Sequence, residues 1–350
     1  MYQEAFLTTY RTFISSKELI QKLLQRYTRF SRAKDPKRKK LSKNAFSLLI
    51  RVVDELCTEM DETLVQLLMQ LVFQLLCDGE LMLAKIFREK VLEKFHHHQQ
   101  RKERSRHVKL LSSYQLSTKS HTLLDFKPEQ VAEQMTLLDA ELFLTIEIPE
   151  VLIYSKNQSE EHSPHLTKFT AHFNKMSYWC CTRILENEDP KEREKYYVRF
   201  LKIMKHLRKL SNFNSYLAVL SALNSSPISR LEWQKQNSEA LQELSMLIDS
   251  SCSFRAYRQA LAETSPPCIP YIGIILQDLT FIHIGNPDNF ADGNINFAKR
   301  WQQFHILDSM RRFKMNYNFK ENPKILAMFN NFEDYICEES LWQISKVLKP

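Results

Sequence analysis

The chain has 350 residues, of which 43% are hydrophobic and 26% charged, and its formal net charge is +8 at pH 7. Only four glycines are present, whereas ordinary usage of about 7% would give roughly two dozen. Glycine-rich phosphate loops, dinucleotide-binding turns and most hairpin turns are therefore excluded, because each needs positive φ or close backbone approach. We expect an all-α fold with two hydrophobic cores.

The positive charge is concentrated in two short segments. Residues 32–43 hold seven basic side chains against Asp35, and residues 101–109 hold five against Glu103, so the rest of the chain carries a net charge of −2. A nucleic-acid-binding protein usually spreads Lys and Arg over a folded face or a recognition helix. We interpret both segments as solvated loops or linkers and expect no nucleic-acid partner, with a phosphate or anionic-lipid contact as the alternative.

The sequence contains few of the motifs that are typical of enzymes or metal-binding proteins. Seven cysteines are scattered without a Cys-x-x-Cys spacing, which favours thiols in a reducing cytoplasm over disulfides or a zinc site. His96-His97-His98 suggests metal binding, but consecutive histidines in a basic segment do not form a tetrahedral shell by themselves. No His-Glu-x-x-His, Gly-x-Ser-x-Gly or Gly-Lys-Ser/Thr motif occurs. We expect no metal, no cofactor and no covalent catalysis.

Residues 1–95 are predicted to form a helical domain. Apolar residues recur at intervals of three or four from Ala5 to Tyr27, with a break and an N-cap at Ser15-Ser16. After a charged loop, Asp78-Gly79 supplies a helix stop. The other helices are predicted over residues 44–57, 61–77 and 80–95.

Residues 96–121 are predicted to be a linker, because periodicity is lost while charge, Ser and His increase. Residues 122–350 are predicted to form a second, larger helical domain. Its prolines punctuate successive helices. Clear helical patterns run over residues 131–143, 295–313 and 323–348.

The segment from Asn212 to Pro227 places a polar amide in an apolar stripe. At 100° per residue Phe213, Leu217 and Asn224 share one face of a helix. Asn224 is either a C-terminal cap before Pro227 or, together with Leu217, a surface presented to a partner. The spacing leaves both interpretations open.

A second segment, from Pro266 to Gly293, contains three of the four glycines. Within it, residues 271–284 are apolar nearly all round, with Gln277, Asp278, Thr280 and His283 as exceptions. Such a helix is either a buried core helix or a projecting helix used as a wedge.

Together these segments resemble the Ras-family guanine-nucleotide exchange factors of the SOS type over nearly the full chain. Phe6-Leu7-Thr8-Thr9-Tyr10-Arg11-Thr12-Phe13-Ile14 is similar to the start of the N-terminal exchanger motif. Ordered blocks of the catalytic domain match residues 124–143, 163–166, 212–227, 266–270 and 296–300. Within the family, residues 229–236 and 277–283 are most similar to the Rap-directed branch that binds the adaptor Crk.

The resemblance implies an N-terminal Ras exchanger motif at 1–95, a basic, His-rich linker at 96–121 and a guanine-nucleotide exchange domain at 122–350. The exchange domain would be a helical bowl with a projecting helical hairpin, roughly Pro270 to Arg312. The hairpin would wedge open the first switch of a small GTPase.

The resemblance also assigns residues to roles. The hairpin wedge would consist of Asp278, Leu279, Thr280, His283 and Ile284, with Thr280 and Ile284 facing the nucleotide and magnesium site. The GTPase-binding surface that receives the second switch would consist of Leu217, Asn224, Arg230, Thr167, Ala171 and Asn174. The hairpin base and hinge would consist of Pro270, Tyr271, Gly273 and Gly285.

Departures from the family pattern bear on mechanism. Ras-directed members carry Leu and Glu where this chain has Thr280 and Ile284, and Arg where it has Ala171. The acidic competitor for phosphate or magnesium is therefore absent, which implies steric and apolar displacement. A Rap-type substrate is favoured over Ras.

The implied partner is a small GTPase of the Rap or Ras family, with its nucleotide-free form bound most tightly. Adaptor proteins would bind regions outside this chain. We expect a cytoplasmic location with peripheral recruitment to membranes that carry lipid-anchored GTPases. The alternatives are an exchanger of the same fold for Ras or Ral, and a catalytically silent helical scaffold that binds a GTPase or an adaptor.

Overall fold

The computed structural model describes residues 1–56, 62–111 and 121–349, with the backbone alone for 97–111. Within these residues every regular element is helical, and β-structure is limited to two isolated bridges. The all-α prediction is confirmed. The chain divides into two compact units, Met1–Ser117 and Thr118–Pro350.

The first unit contains α1 (Tyr2–Thr9), α2 (Ser16–Ser31), α3 (Pro36–Asp54), α4 (Glu62–Cys77) and α5 (Leu81–Leu111). Their apolar faces form one core, in which Tyr10, Ile20, Leu49, Leu68 and Phe87 are fully buried. This core explains why short helices with ordinary propensities are stable here, since burial of an amphipathic face supplies most helical stability.

Two helix ends in the first unit are confirmed as predicted. Ser15 and Glu18 form a reciprocal capping box at the start of α2, which satisfies backbone N–H groups that have no partner within the helix. Gly79 ends α4 with φ of 75°, and the N–H groups of Gly79 and Glu80 donate to Leu76 and Leu75. This arrangement is the Schellman motif.

Two predicted boundaries in the first unit are wrong. α3 begins at Pro36 with Asp35 as its N-cap, so most of the segment predicted as a charged loop is helical, with basic side chains facing solvent. α5 continues to Leu111 instead of ending at Phe95, because Gln, Arg, Lys and Glu are good helix formers even without apolar periodicity. The boundaries predicted at Cys57 and Asp61, and the side chains of His97 and His98, lie outside the described residues.

The second unit contains the remaining helices. These are α6 (Pro128–Thr145), α7 (Ile148–Asn157), α8 (Pro164–Leu185), α9 (Pro190–Lys209), α10 (Phe213–Asn224), α11 (Ser226–Ser229), α12 (Lys235–Ser245), α13 (Arg255–Ala262), α14 (Ile272–Gly285), α15 (Phe297–Phe313), α16 (Pro323–Phe329) and α17 (Glu338–Leu348). Several begin with proline, which is favoured in the first turn because its missing N–H has no helical partner there.

α10 is the central helix of the second unit. It packs against α6, α8 and α9, and every residue from Phe213 to Leu223 except Ser221 is buried. The Ser215 hydroxyl donates to the buried Asp139 carboxylate of α6 at 2.6 Å. Because α10 is enclosed on nearly all sides, only its last turn, at Ser221 and Asn224, reaches the surface.

The helix predicted over residues 323–348 is divided in the structure. α16 ends at Phe329, and Asn330 and Asn331 adopt left-handed backbone angles with φ of 44° and 51°. Asparagine tolerates this conformation better than most residues. The chain therefore turns before α17, which packs against α8 and α11.

α14 and α15 form a helical hairpin, connected by residues 286–296. At its base, Ile272, Ile275 and Leu279 pack with Leu307 and Met310 in one apolar cluster. The same cluster includes Val151 and Leu152 of α7. The hairpin is thus anchored in the second unit by its first turns.

Glu150 fixes the junction between α7 and α8. Its carboxylate accepts hydrogen bonds from the backbone N–H groups of His165 and Leu166 at 3.0 and 2.9 Å, and it lies against the His165 ring. A carboxylate at a helix N-terminus also interacts favourably with the helix dipole.

We predict that Glu150→Ala destabilises the second unit by about 1–3 kcal/mol, because it leaves buried N–H groups without acceptors. Urea unfolding followed by tryptophan fluorescence measures this unit alone, since all four tryptophans lie in it. Glu161→Ala, on an exposed turn, is the matched control. Equal unfolding midpoints for the two variants would contradict the capping role.

Candidate functional site

The far end of the hairpin is apolar and exposed. α14 is buried through Ile275 and Leu279, but Phe281 and Ile284 are 63% and 76% exposed. The connecting segment adds exposed Phe290 and Ile295. The first half of this segment is thus a core helix and its second half is exposed, while its use as a wedge stays a prediction.

A buried lysine closes the hairpin. Lys299, near the start of α15, is only 1% exposed. Its ammonium group donates to the backbone carbonyls of His283 at 2.9 Å and Asn286 at 2.7 Å, and it lies 3.0 Å from the Asp288 carboxylate. The ammonium therefore satisfies carbonyls at the end of α14, where helices leave acceptors without intrahelical partners.

Arg300 completes this arrangement by donating to the same carboxylate oxygen of Asp288 at 2.8 Å. We call Asp288, Lys299 and Arg300 the hairpin latch. Partial burial of Asp288 by itself raises its pKa, but the hydrogen bonds and charges of Lys299 and Arg300 outweigh burial and lower the pKa to about 2. The pKa of His283 is lowered by burial and by the charge of Lys299.

The residues predicted as the wedge occupy different environments. Leu279 is completely buried, so it supports the hairpin from within and offers no surface to a partner. Asp278 is held by both terminal nitrogens of Arg258 at 2.7 Å. The Thr280 hydroxyl donates to Leu276 of its own helix at 2.8 Å. Ile284 is the most exposed of the set.

A cleft of about 940 Å³ with a mixed polar and apolar lining opens between α8, α10 and α17. It is lined by Phe173, Asn174, Ser177, Tyr178, Cys181, Ser221, Asn224, Ser225, Ser226, Pro227, Glu338, Glu339, Leu341 and Trp342. Two residues predicted as a partner surface, Asn174 and Asn224, lie in its walls. Asn224 is the last residue of α10, and its amide is 3.4 Å from the Ser245 hydroxyl.

The other predicted surface residues lie outside this lining. Leu217 is 6% exposed and belongs to the core. Arg230 donates to the backbone oxygen of Ser345 at 2.7 Å and lies over the Trp342 ring, so it holds α17 in place. Thr167 and Ala171 share a face of α8 with Asn174 by their spacing of four and three residues, and Ala171 is exposed.

A smaller cavity of about 150 Å³ shares Phe173 and Asn174 with the cleft and continues to the base of the hairpin. Tyr271, Gly273 and Leu276 contribute its α14 side. The cleft, this cavity and the start of α14 therefore form a continuous surface.

Gly273 is explained by close approach. A Cβ at this position would lie 2.5 Å from the Tyr271 ring, so any side chain would displace a ring that lines the cavity. Gly285, by contrast, is helical, and a Cβ at this position would have no neighbouring heavy atom within 4 Å. Of the two glycines predicted at the base and hinge, only Gly273 is sterically required.

Several lining residues were missed from the sequence. Tyr178, Glu338 and Trp342 carry no motif, and α17 is distant in sequence from α8 and α10. Asn214 lines the smaller cavity, and its buried amide nitrogen has no hydrogen-bond partner within the described part of the chain. Its position in an otherwise apolar helix segment is the one signal that could have indicated it.

The lining of the cleft includes one cysteine, Cys181. Burial raises the pKa of the Cys181 thiol to about 11, so the thiolate nucleophile is scarce at neutral pH. Among the described residues, no three His, Cys, Asp or Glu side chains are grouped to hold a metal ion. No helix in the same ranges is long and apolar enough to cross a bilayer.

Comparison with protein-family models gives two matches. Residues 1–112 match the RasGEF N-terminal motif, and residues 130–301 match the RasGEF domain. The chain belongs to the RasGEF family. The RasGEF domain match includes α8, α10 and α14, which supply most of the cleft, the smaller cavity and the exposed hairpin end.

Two curated relatives are similar over nearly the whole chain, and a third over about two thirds of it. The chain is 56% identical to Rap guanine nucleotide exchange factor 1 of Homo sapiens, with 100% of this chain and 32% of that protein covered. It is 52% identical to guanine nucleotide-releasing factor 2 of Drosophila melanogaster, with 99% and 23% covered. Ras-specific guanine nucleotide-releasing factor 1 of Mus musculus is 33% identical, with 63% and 18% covered. The chain thus spans a third or less of these relatives.

We predict that the hairpin latch makes stability depend on pH in the acid range. Because the pKa of Asp288 is about 2 in the fold, against 3.8 ordinarily, its carboxylate stabilises the fold fully above about pH 5. That contribution is lost as the pH falls towards 2. Asp288→Asn should lower stability at pH 7 on the order of 1 kcal/mol, since Asp288 is partly exposed.

Urea unfolding midpoints of wild type and Asp288→Asn, measured from pH 7 to pH 3, check this prediction. The gap between them should be constant down to about pH 5 and then shrink. Asp308→Asn, on the same hairpin but in an exposed pair with Arg312, should show no such trend. A gap that widens in acid would contradict the assignment.

We also predict opposite effects at two hairpin glycines. Gly273→Ala should destabilise the second unit by roughly 1–3 kcal/mol, because the Tyr271 ring must move. Gly285→Ala should be neutral or stabilising by up to about 1 kcal/mol, because alanine suits a helix better than glycine does. Urea unfolding midpoints of both variants test this prediction. A similar loss of stability in both variants would mean that the Tyr271 contact is unimportant.

Proposed function

We propose that this chain is an exchange module that accelerates GDP release and GTP loading on a Rap-type small GTPase. The observation that carries the proposal is the exposed apolar end of α14, with Phe281 and Ile284, on a hairpin held by the hairpin latch. An apolar projection and a cleft of mixed polarity are suited to displacing one segment of a partner while binding another.

The affinity of the nucleotide requires that binding of the exchanger to the GTPase be coupled to release of the nucleotide. A nucleotide held at picomolar affinity represents about 16 kcal/mol at standard state, which no single contact can remove. An exchanger must bind the nucleotide-free GTPase far better than the loaded form, and by linkage it then weakens nucleotide binding by the same factor. The module makes or breaks no covalent bond in this mechanism.

In this mechanism the hairpin end and the cleft bind different segments of the GTPase. The hairpin end, with Ile284 foremost, would push the first switch away from the nucleotide and its magnesium ion by apolar, steric displacement. The cleft, with Asn174 and Asn224 in its walls, would hold the second switch in an altered arrangement. His283, whose pKa is lowered by its surroundings, would remain neutral and add no charge near the phosphates.

Three residues support Rap as the substrate. Thr280, Ile284 and Ala171 stand where the Ras-directed pattern has Leu, Glu and Arg. The identity of 56% to a relative named for Rap, against 33% to a relative named for Ras, agrees with this choice. We further propose that adaptors bind outside this chain and that recruitment to membranes is peripheral.

The test is release of a fluorescent GDP analogue from purified Rap, Ras and Ral. We expect the intact chain to accelerate release from Rap alone. Ile284→Asp should abolish acceleration by placing a charge on the apolar wedge, and Asn224→Ala should reduce it roughly 10- to 100-fold, as loss of a positioning contact does.

Matched controls separate a site effect from misfolding. Met315→Asp changes another exposed apolar residue, and Asn157→Ala changes another exposed asparagine at a helix end. Both controls should keep wild-type rates. Acceleration on Ras or Ral instead would identify an exchanger of the same fold with different selectivity. Saturable GTPase binding without faster release would leave a silent scaffold.

A further inference from the structure

The hairpin helix α14 is supported along one face by α13. The Tyr271 N–H, at the start of α14, donates to the Tyr257 hydroxyl at 2.8 Å. One turn later, Ile274 packs with Tyr257 and Ala260 in a small apolar cluster. Asp278 then pairs with Arg258. The α14 positions are spaced by three and four residues, so all lie on one face of the helix.

The outermost of these contacts is geometrically the most restrictive. Both terminal nitrogens of Arg258 donate to the two Asp278 oxygens at 2.7 Å. The Arg258 Nε donates to the Ser253 carbonyl at 2.7 Å. A two-point guanidinium–carboxylate pair fixes orientation as well as distance, and the third bond fixes the guanidinium to the chain before α13.

This pair lies where the hairpin leaves its support. Within the described residues, Asp278 is the α14 position nearest the exposed end that forms a hydrogen bond or ion pair with α13. Phe281 and Ile284 follow within six residues, about 9 Å along the helix axis. A change of angle at Asp278 is therefore carried directly to the exposed apolar end.

We propose that Arg258 and Asp278 are positioning residues that set the angle of the hairpin, and that Asp278 acts through Arg258 instead of contacting the GTPase. This inference rests on the proposed exchange function for its kinetic consequence. Its structural content, that the pair restrains the end of α14, is independent of that function. We expect the pair to matter for the step in which the hairpin end displaces the first switch of the GTPase. It should matter much less for the initial binding of the GTPase to the cleft.

The kinetic test compares Arg258→Ala, Asp278→Asn and Arg258→Lys with wild type in nucleotide release from Rap. We expect kcat to fall roughly 10- to 100-fold in the first two, as for a displaced reacting group, with KM for the GTPase nearly unchanged. Arg258→Lys, which keeps the charge without the two-point geometry, should be intermediate. The charge-exchanged double variant Arg258→Asp, Asp278→Arg should recover part of the loss.

Arg255→Ala is the matched control, because it removes an exposed arginine from the same helix. It should keep wild-type kcat. Loss of folded protein with unchanged kcat of the folded fraction in Arg258→Ala would show a purely structural role and overturn the inference. A rise in KM with unchanged kcat would indicate direct contact and overturn it too.

Hydrogen exchange of the free chain provides the second measurement. In Arg258→Ala, backbone amides of residues 279–285 should exchange faster than in wild type, while those of α10 should not change. If wild type accelerates release from no GTPase, the proposed function fails but this measurement still decides the restraint. Unchanged exchange at residues 279–285 would overturn the inference.

Discussion

The projecting end of the α14–α15 hairpin depends on one electrostatic constraint. This constraint is the burial of the Lys299 ammonium between the end of α14 and Asp288. A helix end that projects from the core cannot be held by apolar packing, because its own apolar side chains face solvent. Lys299 instead binds the last carbonyls of α14, and Arg300 shares its carboxylate partner. Burying two cations near one carboxylate is costly unless well-aligned hydrogen bonds compensate. The carbonyls of His283 and Asn286 and the Asp288 carboxylate supply such bonds at 2.7 to 3.0 Å.

Rigidity at the far end and support at the base are supplied by different interactions. The base of α14 is held by apolar clusters with α7, α15 and α13. The middle is held by the Arg258–Asp278 pair, and the end by the hairpin latch. Apolar packing holds the base of α14 because burial is greatest there. Charged hydrogen bonds hold the middle and the end, where apolar side chains are no longer buried.

The cleft has a different construction, because it is assembled from helices that are distant in sequence. α10 supplies only its last turn, since the rest of that helix is the centre of the core. α17 supplies an acidic and aromatic wall through Glu338, Glu339 and Trp342, and Arg230 fixes this wall by donating to Ser345. A partner segment bound here would therefore meet groups whose relative placement is set by core packing.

The sequence by itself determined the fold class, the N-cap at Ser15, the stop at Gly79 and the apolar character of α14, because these follow from local backbone preferences and periodicity. A family resemblance added the candidate residues. Only the tertiary structure decided that Leu279 and Leu217 are buried, that Asp278 is paired with Arg258, and that Asn174, Asn224 and Trp342 share one cleft. Helical periodicity shows which side chains lie on one face, but which face meets the core is settled by packing against distant segments.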